Sequence, residues 1–324
     1  MPEDNTSATK PYVRVAAGLI LQPDGQLLLG QRPVGKPWEN WWELPGGKIE
    51  AGETVEQALA RELHEELGIT VTKSTRWVTY VHEYPKNIVE LNFCRVTGWD
   101  GQPEGRENQA LAWVDPAGQI EVGPLLPATE PPLRWLRLPE RYLITQLESP
   151  AYQTQGLARL AQRLESGVRL VQFRERNWPD GPDADNLHQA FCEVLALCRR
   201  WQARCLVNSC HPRAWAEQAD GLHLRSTDLP AAHTWPRAKG LLAVSTHNLG
   251  QIRAAQSLEP DFIVLGHVLE TPSHAGEAPL GWATFAELAQ QAGCPVFAIG
   301  GQSPATLATA RDHGAHGIAG IREV

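Results

Sequence analysis

The residues best suited to chemistry are Glu53, Arg61, Glu62, Glu65 and Glu66. Glu62 lies three positions from Glu65 and four from Glu66, so a helix through them puts all three carboxylates on one face. Crowding anions in this way costs on the order of 1 kcal/mol per pair at about 4 Å even in water. A hard divalent cation reverses that cost, because Mg²⁺ takes oxygen ligands and also binds substrate phosphates. Bridging metals neutralise a diphosphate and generate a hydroxide near neutral pH. The alternative is a solvated helix face carrying an Arg61–Glu65 ion pair.

The element that must position these groups is marked at both ends. Thr54 with Gln57 three residues on is a capping-box pattern. Val55, Leu59, Leu63 and Leu67 recur every four residues and form one apolar stripe. Gly68 stands where a helix takes a left-handed cap. From Gly47 to Ile69 the chain reads G-x5-E-x7-R-E-U-x-E-E-x-G-U, U being a bulky apolar residue, with every fixed position filled.

That pattern resembles the Nudix box, the loop-helix-loop with which Nudix hydrolases cut nucleoside diphosphate bonds. Three flanking segments resemble the MutT-type branch: Leu27–Arg32, Trp42–Lys48 and Gly105–Gln109. The resemblance implies a Mg²⁺-dependent enzyme (Mn²⁺ as a substitute) that converts a nucleoside triphosphate, 8-oxo-dGTP in the type case, to monophosphate and pyrophosphate. It implies Glu65, Glu66, Glu62 and Glu107 at the metal, with a backbone carbonyl near Gly46. Glu62 would be the general base or metal-water partner, Arg61 its orienting group, and Glu53 a support for the loop. Arg32 and Lys48 would meet phosphates, and Leu44 and Thr129 would line the substrate site. Members that prefer oxidised guanine place an asparagine in a Pro-Ala-Asn-Glu-Pro-like stretch. This chain has Thr129 there, within Leu126–Pro131. A hydroxyl lacks the paired donor and acceptor with which an amide reads a base edge. Trp38, Trp41 and Trp42 either stack on a base or pack as core and lid.

At 324 residues the chain is long enough for two domains with their own cores. An apolar fraction of 42% and a charged fraction of 20% fit a soluble globular protein. The net charge of −8 excludes a broad duplex-DNA footprint, so no stable nucleic-acid or membrane binding is expected. None of the six cysteines forms a Cys-x-x-Cys pair, which points to reduced thiols and a cytoplasmic setting. Residues 1–10 read as a disordered tail, 11–135 as the first domain and 136–324 as the second. The first is expected to be an α/β/α sandwich with a mixed sheet. The proline-rich stretch 123–139 marks the junction, and Gly98-Trp-Asp-Gly-Gln-Pro reads as a turn.

Beyond the junction, short apolar runs alternate with helical ones. Eight candidate strands begin near Tyr142, Arg169, Cys205, Gly221, Leu241, Asp261, Pro295 and Gly317. Repeated strand-helix units predict a (β/α)₈ TIM barrel with its function at the carboxyl ends of the strands. Six segments resemble the thiamine phosphate synthase and TenI family: 142–145, 171–176, 206–208, 219–224, 244–248 and 298–301. The resemblance implies ligand contacts at Gln172, Arg174, Asn208, Asp228, Ser245, His247, Thr271, His274, Gly300 and Gly301, and a thiazole or thiamine phosphate as ligand. The sequence departs from the synthases at three points. Ser209 stands where a metal-binding aspartate normally follows Asn208, Arg176 replaces one lysine and His274 another. Losing a carboxylate weakens a Mg²⁺–pyrophosphate site, and arginine changes the shape of the donor array. His247 is either a counterpart of a tautomerising histidine or a core or helix-capping residue. A degenerate barrel is therefore expected, one that binds a phosphorylated ligand or only stabilises its partner domain.

Overall fold

The computed structural model describes residues 10–232, 239–271, 276–322 and 324. The tail at residues 1–9 and His274 lie outside the described residues. The chain divides into two compact units, Met1–Arg137 and Leu138–Val324.

In the first unit, β1 (Tyr12–Ile20) runs parallel to β6 (Ile88–Asp100) and antiparallel to β4 (Gly46–Lys48); β5 (Thr70–Glu83) pairs antiparallel with β6. A second sheet places β2 (Leu27–Gln31) between β3 (Trp42–Glu43) and β7 (Leu111–Val114). Helix α1 (Val55–Leu67) buries Val55, Ala58, Leu59, Leu63 and Leu67 against Ala16, Ile20, Cys94 and Val96. Each of the valine and leucine side chains contributes about 1.5–3 kcal/mol when fully buried. The opposite face of the mixed sheet carries Phe93 and Trp77, which meet Trp135 of α2 (Glu130–Leu136). Adjacent strand residues point to opposite faces, so one helix covers each side and the expected sandwich is present.

Two local readings are corrected. The segment 98–100 continues β6 rather than turning, because Thr70 and Val71 pair with Asp100 and Trp99. The proline-rich stretch contains α2: Pro131 and Pro132 occupy the first helical turn, where a missing N–H costs nothing.

The second unit is a closed, all-parallel barrel of eight strands: β8 (Arg141–Ile144), β9 (Leu170–Phe173), β10 (Arg204–Asn208), β11 (Gly221–Leu224), β12 (Leu241–Thr246), β13 (Phe262–Gly266), β14 (Val296–Ile299) and β15 (Gly317–Gly320). Tyr142, Leu170, Leu206, Ala243, Phe262 and Phe297 fill its interior. Among the described residues no helix is long and apolar enough to cross a membrane.

Candidate active site

Helix α1 begins and ends as its sequence predicts. Gln57 N–H donates to Thr54 Oγ1 at 3.2 Å and Thr54 N–H to Gln57 Oε1 at 2.9 Å. Gly68 closes the helix at φ 73° with its N–H on the His64 carbonyl. Arg61 then ties helix to loop. Its Nε and Nη2 hold both oxygens of Glu53 at 2.8 and 2.9 Å, Nη2 also donates to the Lys48 carbonyl at 3.0 Å, and Nη1 reaches Glu62 Oε1 at 2.9 Å. Arg61 and the Glu50 N–H together hold the Glu53 carboxyl down at about 2.

Behind this brace lies a cavity of about 400 Å³, lined in part by Arg32, Lys36, Glu43, Gly46, Gly47, Lys48, Glu62, Glu66 and Glu107. The close approach of β4 to β1 needs glycine at position 46, where φ is 143° and a Cβ would sit 2.1 Å from the Ala16 carbonyl oxygen. Glu66 accepts the Gly46 N–H at 3.2 Å. Burial first, then repulsion from Glu43, Glu62 and Glu107, pushes the Glu66 carboxyl up to about 7 against that hydrogen bond. Glu107 reaches the cavity because its loop is tied to the end of α1: Arg106 N–H and Gln109 Nε2 both donate to the Glu66 carbonyl at 3.0 Å. Glu107 pairs with Lys36. Arg32 pairs with Glu43 at 2.5 Å. The Lys48 ammonium is exposed and has no ion-pair partner among the described residues.

Not every expected residue is brought together. Glu65 does not line the cavity; its side chain is 60% exposed, with Oε2 3.4 Å from Arg61. Leu44 and Thr129 are buried outside the lining. Trp42 is buried in β3, while Trp38 is half open and packs edge-on against Trp41. Glu43 and Lys36 were missed by sequence reasoning, because only the fold carries them to α1. Among the described residues no three acidic, histidine or cysteine side chains converge as they stand. The donor set nonetheless fits Mg²⁺, which needs only one or two carboxylates and completes its shell with water and phosphate oxygens. Five glutamates, Glu43, Glu50, Glu62, Glu66 and Glu107, line this cavity, and burial with their mutual repulsion drives Glu66 towards neutrality.

At the barrel mouth a chain of polar groups, buried at all but its last member, runs from Asn208 to Ser245. Asn208 Nδ2 donates to Gln172 Oε1 at 2.7 Å, which turns Gln172 Nε2 towards His223 Nδ1 at 3.2 Å. Tyr142 OH lies 3.0 Å from the same nitrogen. With Nδ1 accepting, the imidazole proton sits on Nε2 and points to Ser245 Oγ at 2.7 Å. Ser245 is left with its own O–H free to donate. Burial, helped by Arg174, depresses His223 to about 3, so it stays neutral. Gly300 and Gly301 adopt φ 94° and 65° after β14; a Cβ on Gly300 would come within 2.5 Å of His267. His247 is exposed and shares Gln251 Oε1 between its N–H and ring, a helix-start role. Thr271 is half-buried. Asp228 is held by Arg225, a residue that sequence reasoning passed over although the i, i+3 charge pair was visible.

The NUDIX domain model matches residues 11–136, and the thiamine monophosphate synthase model matches residues 141–324. The 8-oxo-dGTP diphosphatase of Haemophilus influenzae is 42% identical over 119 residues, covering 37% of this chain and 87% of that protein. The CTP pyrophosphohydrolase of Escherichia coli is 39% identical over 112 residues, covering 35% and 82%. A candidate second thiamine-phosphate synthase of Aquifex aeolicus is 32% identical over 187 residues, covering 57% and 97%.

Proposed function

The chain belongs to two families, NUDIX over its first unit and thiamine monophosphate synthase over its second, and from that premise we propose a division of labour. The first unit hydrolyses a nucleoside triphosphate to monophosphate and pyrophosphate. The second binds a thiazole- or thiamine-type phosphate without making one.

The observation that carries the first reading is the cavity that Glu43, Glu50, Glu62, Glu66 and Glu107 line together with Lys48. Mg²⁺ or Mn²⁺ held by Glu66 and Glu62, with Glu107 and water, would neutralise the triphosphate and acidify the attacking water. Lys48 meets the phosphates with its unpaired ammonium. Arg61 holds Glu62 by Oε1, so Oε2 is left to take the proton of the water that attacks phosphorus. The new P–O bond forms as the anhydride P–O bond breaks, and pyrophosphate leaves. Glu53, fixed by Arg61, keeps the loop in register with the helix.

The relatives that act on 8-oxo-dGTP and on CTP support a nucleotide substrate and make oxidised guanine the first base to try. The role would then be sanitation of the nucleotide pool. Free cysteines throughout agree with a cytoplasmic setting. The test is pyrophosphate release in Mg²⁺ from 8-oxo-dGTP, dGTP, CTP, the other dNTPs and, for hydrolysis of a pathway diphosphate, thiamine diphosphate. Preference for 8-oxo-dGTP establishes sanitation. Indifference among nucleotides with turnover of the thiamine compound replaces that reading with a single-pathway enzyme, which the family of the second unit would then explain.

A further inference from the structure

Arg174 follows β9, Ser209 and Cys210 follow β10, and Arg225 follows β11, three neighbouring strands of the barrel. Arg225 grips Asp228 with Nε on Oδ2 and Nη2 on Oδ1, both at 2.9 Å. The Ser209 hydroxyl donates to Oδ2 at 2.5 Å, and Thr227 Oγ1 lies 3.5 Å from Oδ1. A carboxylate offers about four acceptor positions, and each has a donor facing it. A divalent cation would have to expel Arg225 to reach Asp228. The position after Asn208 offers it a hydroxyl instead of a second carboxylate. The residues present do not fit the Mg²⁺ that the family's synthases imply.

Arg174 is in the opposite condition. Its guanidinium has no hydrogen-bond or ion-pair partner among the described residues; only its backbone N–H is engaged, by Thr145 Oγ1. Burial, then Arg176 and Arg225, hold its basicity below the ordinary value. Glu175, the next residue, turns away to accept the N–H groups of Leu147 and Glu148. Arg174 and Arg176 leave the end of β9 and Arg225 the end of β11, on the two strands that flank β10 and Cys210. Arg225 has spent Nε and Nη2 on Asp228 and keeps Nη1 for another acceptor. Guanidinium forks match phosphate oxygens and stay charged at any physiological pH.

We infer that the barrel mouth is a metal-independent site for a phosphate or diphosphate group, in which Arg225, locked to Asp228, stands in for a divalent cation while Arg174 and Arg176 supply the remaining charge. This deepens, and rests on, the reading of the second unit as a phosphate-binding barrel. It does not depend on the nucleotide chemistry of the first.

Calorimetry on full-length Glu66→Gln protein, chosen to weaken cation binding in the first unit, tests it with inorganic pyrophosphate as probe. Binding is expected in EDTA, with an affinity that Mg²⁺ changes by less than about threefold. Arg174→Gln and Arg225→Gln should each weaken it by about tenfold or more. Arg174→Lys, which keeps the charge and alters only the fork, should fall between and guards against misfolding. The double change Ser209→Asp with Arg225→Gly should invert the behaviour, giving binding only with Mg²⁺. Mg²⁺-dependent binding in the parent that Asp228→Asn abolishes would overturn the inference and leave the phosphate-binding reading standing. No binding in either medium would overturn both.

Discussion

The same grip appears once in each unit with opposite consequences. Arg61 holds Glu53 through two nitrogens at 2.8 and 2.9 Å, and Arg225 holds Asp228 through two at 2.9 Å. In the first unit the pair is a brace outside the cavity. It consumes the arginine, and the cavity stays acidic because five glutamates line it against only Arg32, Lys36 and Lys48. In the barrel the pair consumes the carboxylate and leaves Arg174 and Arg176 to make the mouth basic. One site is left short of positive charge and suits a metal with its phosphates. The other carries its cations covalently and suits a phosphate alone. Which partner is left over decides what each site binds.

The sharpest way to break this comparison is Glu66→Gln. Turnover should fall by about 10³-fold or more because the cavity loses a metal-facing carboxylate, while circular dichroism stays native. Near-normal activity would mean that the acidic excess is not the catalytic feature. Arg61→Gln comes next. It frees Glu53 and Glu62 together, so kcat/KM should drop by about 10²-fold through lost positioning. Stability should fall by about 1–2 kcal/mol, measured by urea denaturation, since charge-assisted hydrogen bonds are lost from a partly exposed group.

Titration separates two carboxylates of the first unit by sign. Glu66 is raised to about 7 in the folded, metal-free protein. Its native form therefore holds a proton that the unfolded chain releases above about 4.5. That contribution to stability is full below about pH 4.5 and is lost as pH rises through about 7, by up to about 3 kcal/mol. Glu53 is held at about 2. Its contribution is present above about 4.5 and is lost as pH falls towards 2. Metal-free protein should thus lose stability between about pH 5 and 7.5 on account of Glu66, in denaturant melts. The loss should vanish in Glu66→Gln and shrink when Mg²⁺ is added. An unchanged slope in the variant would assign the pH dependence elsewhere. The smallest expected effect is Thr54→Ala, about 1 kcal/mol from the lost cap. It should be confined to the unfolding of the first unit, and a larger loss would show that the helix start carries more of the brace than the cap itself.

Legibility in the sequence followed sequence separation. The capping box, the apolar stripe of α1 and the terminal Gly68 depend on neighbours within four residues, so spacing alone reports them. The eight barrel strands were legible for a similar reason, since parallel strands buried on both faces read as short apolar runs between helices. Helix α2 was hidden because prolines in a first turn look like a linker until Trp135 is seen against Trp77 and Phe93. Glu65 and Glu66 are adjacent and alike in sequence, yet one faces solvent and the other the cavity.

By itself the sequence determined the two families, the strand-helix alternation of the barrel and the residues of the Nudix-like box, because these are set by short-range spacing. Only the tertiary structure decided which charges remain unspent. That outcome depends on pairings such as Lys36 with Glu107 and the Gly46 N–H with Glu66. These pairs meet across 71 and 20 residues, and which of them form follows from the packing of β4, α1 and their loops.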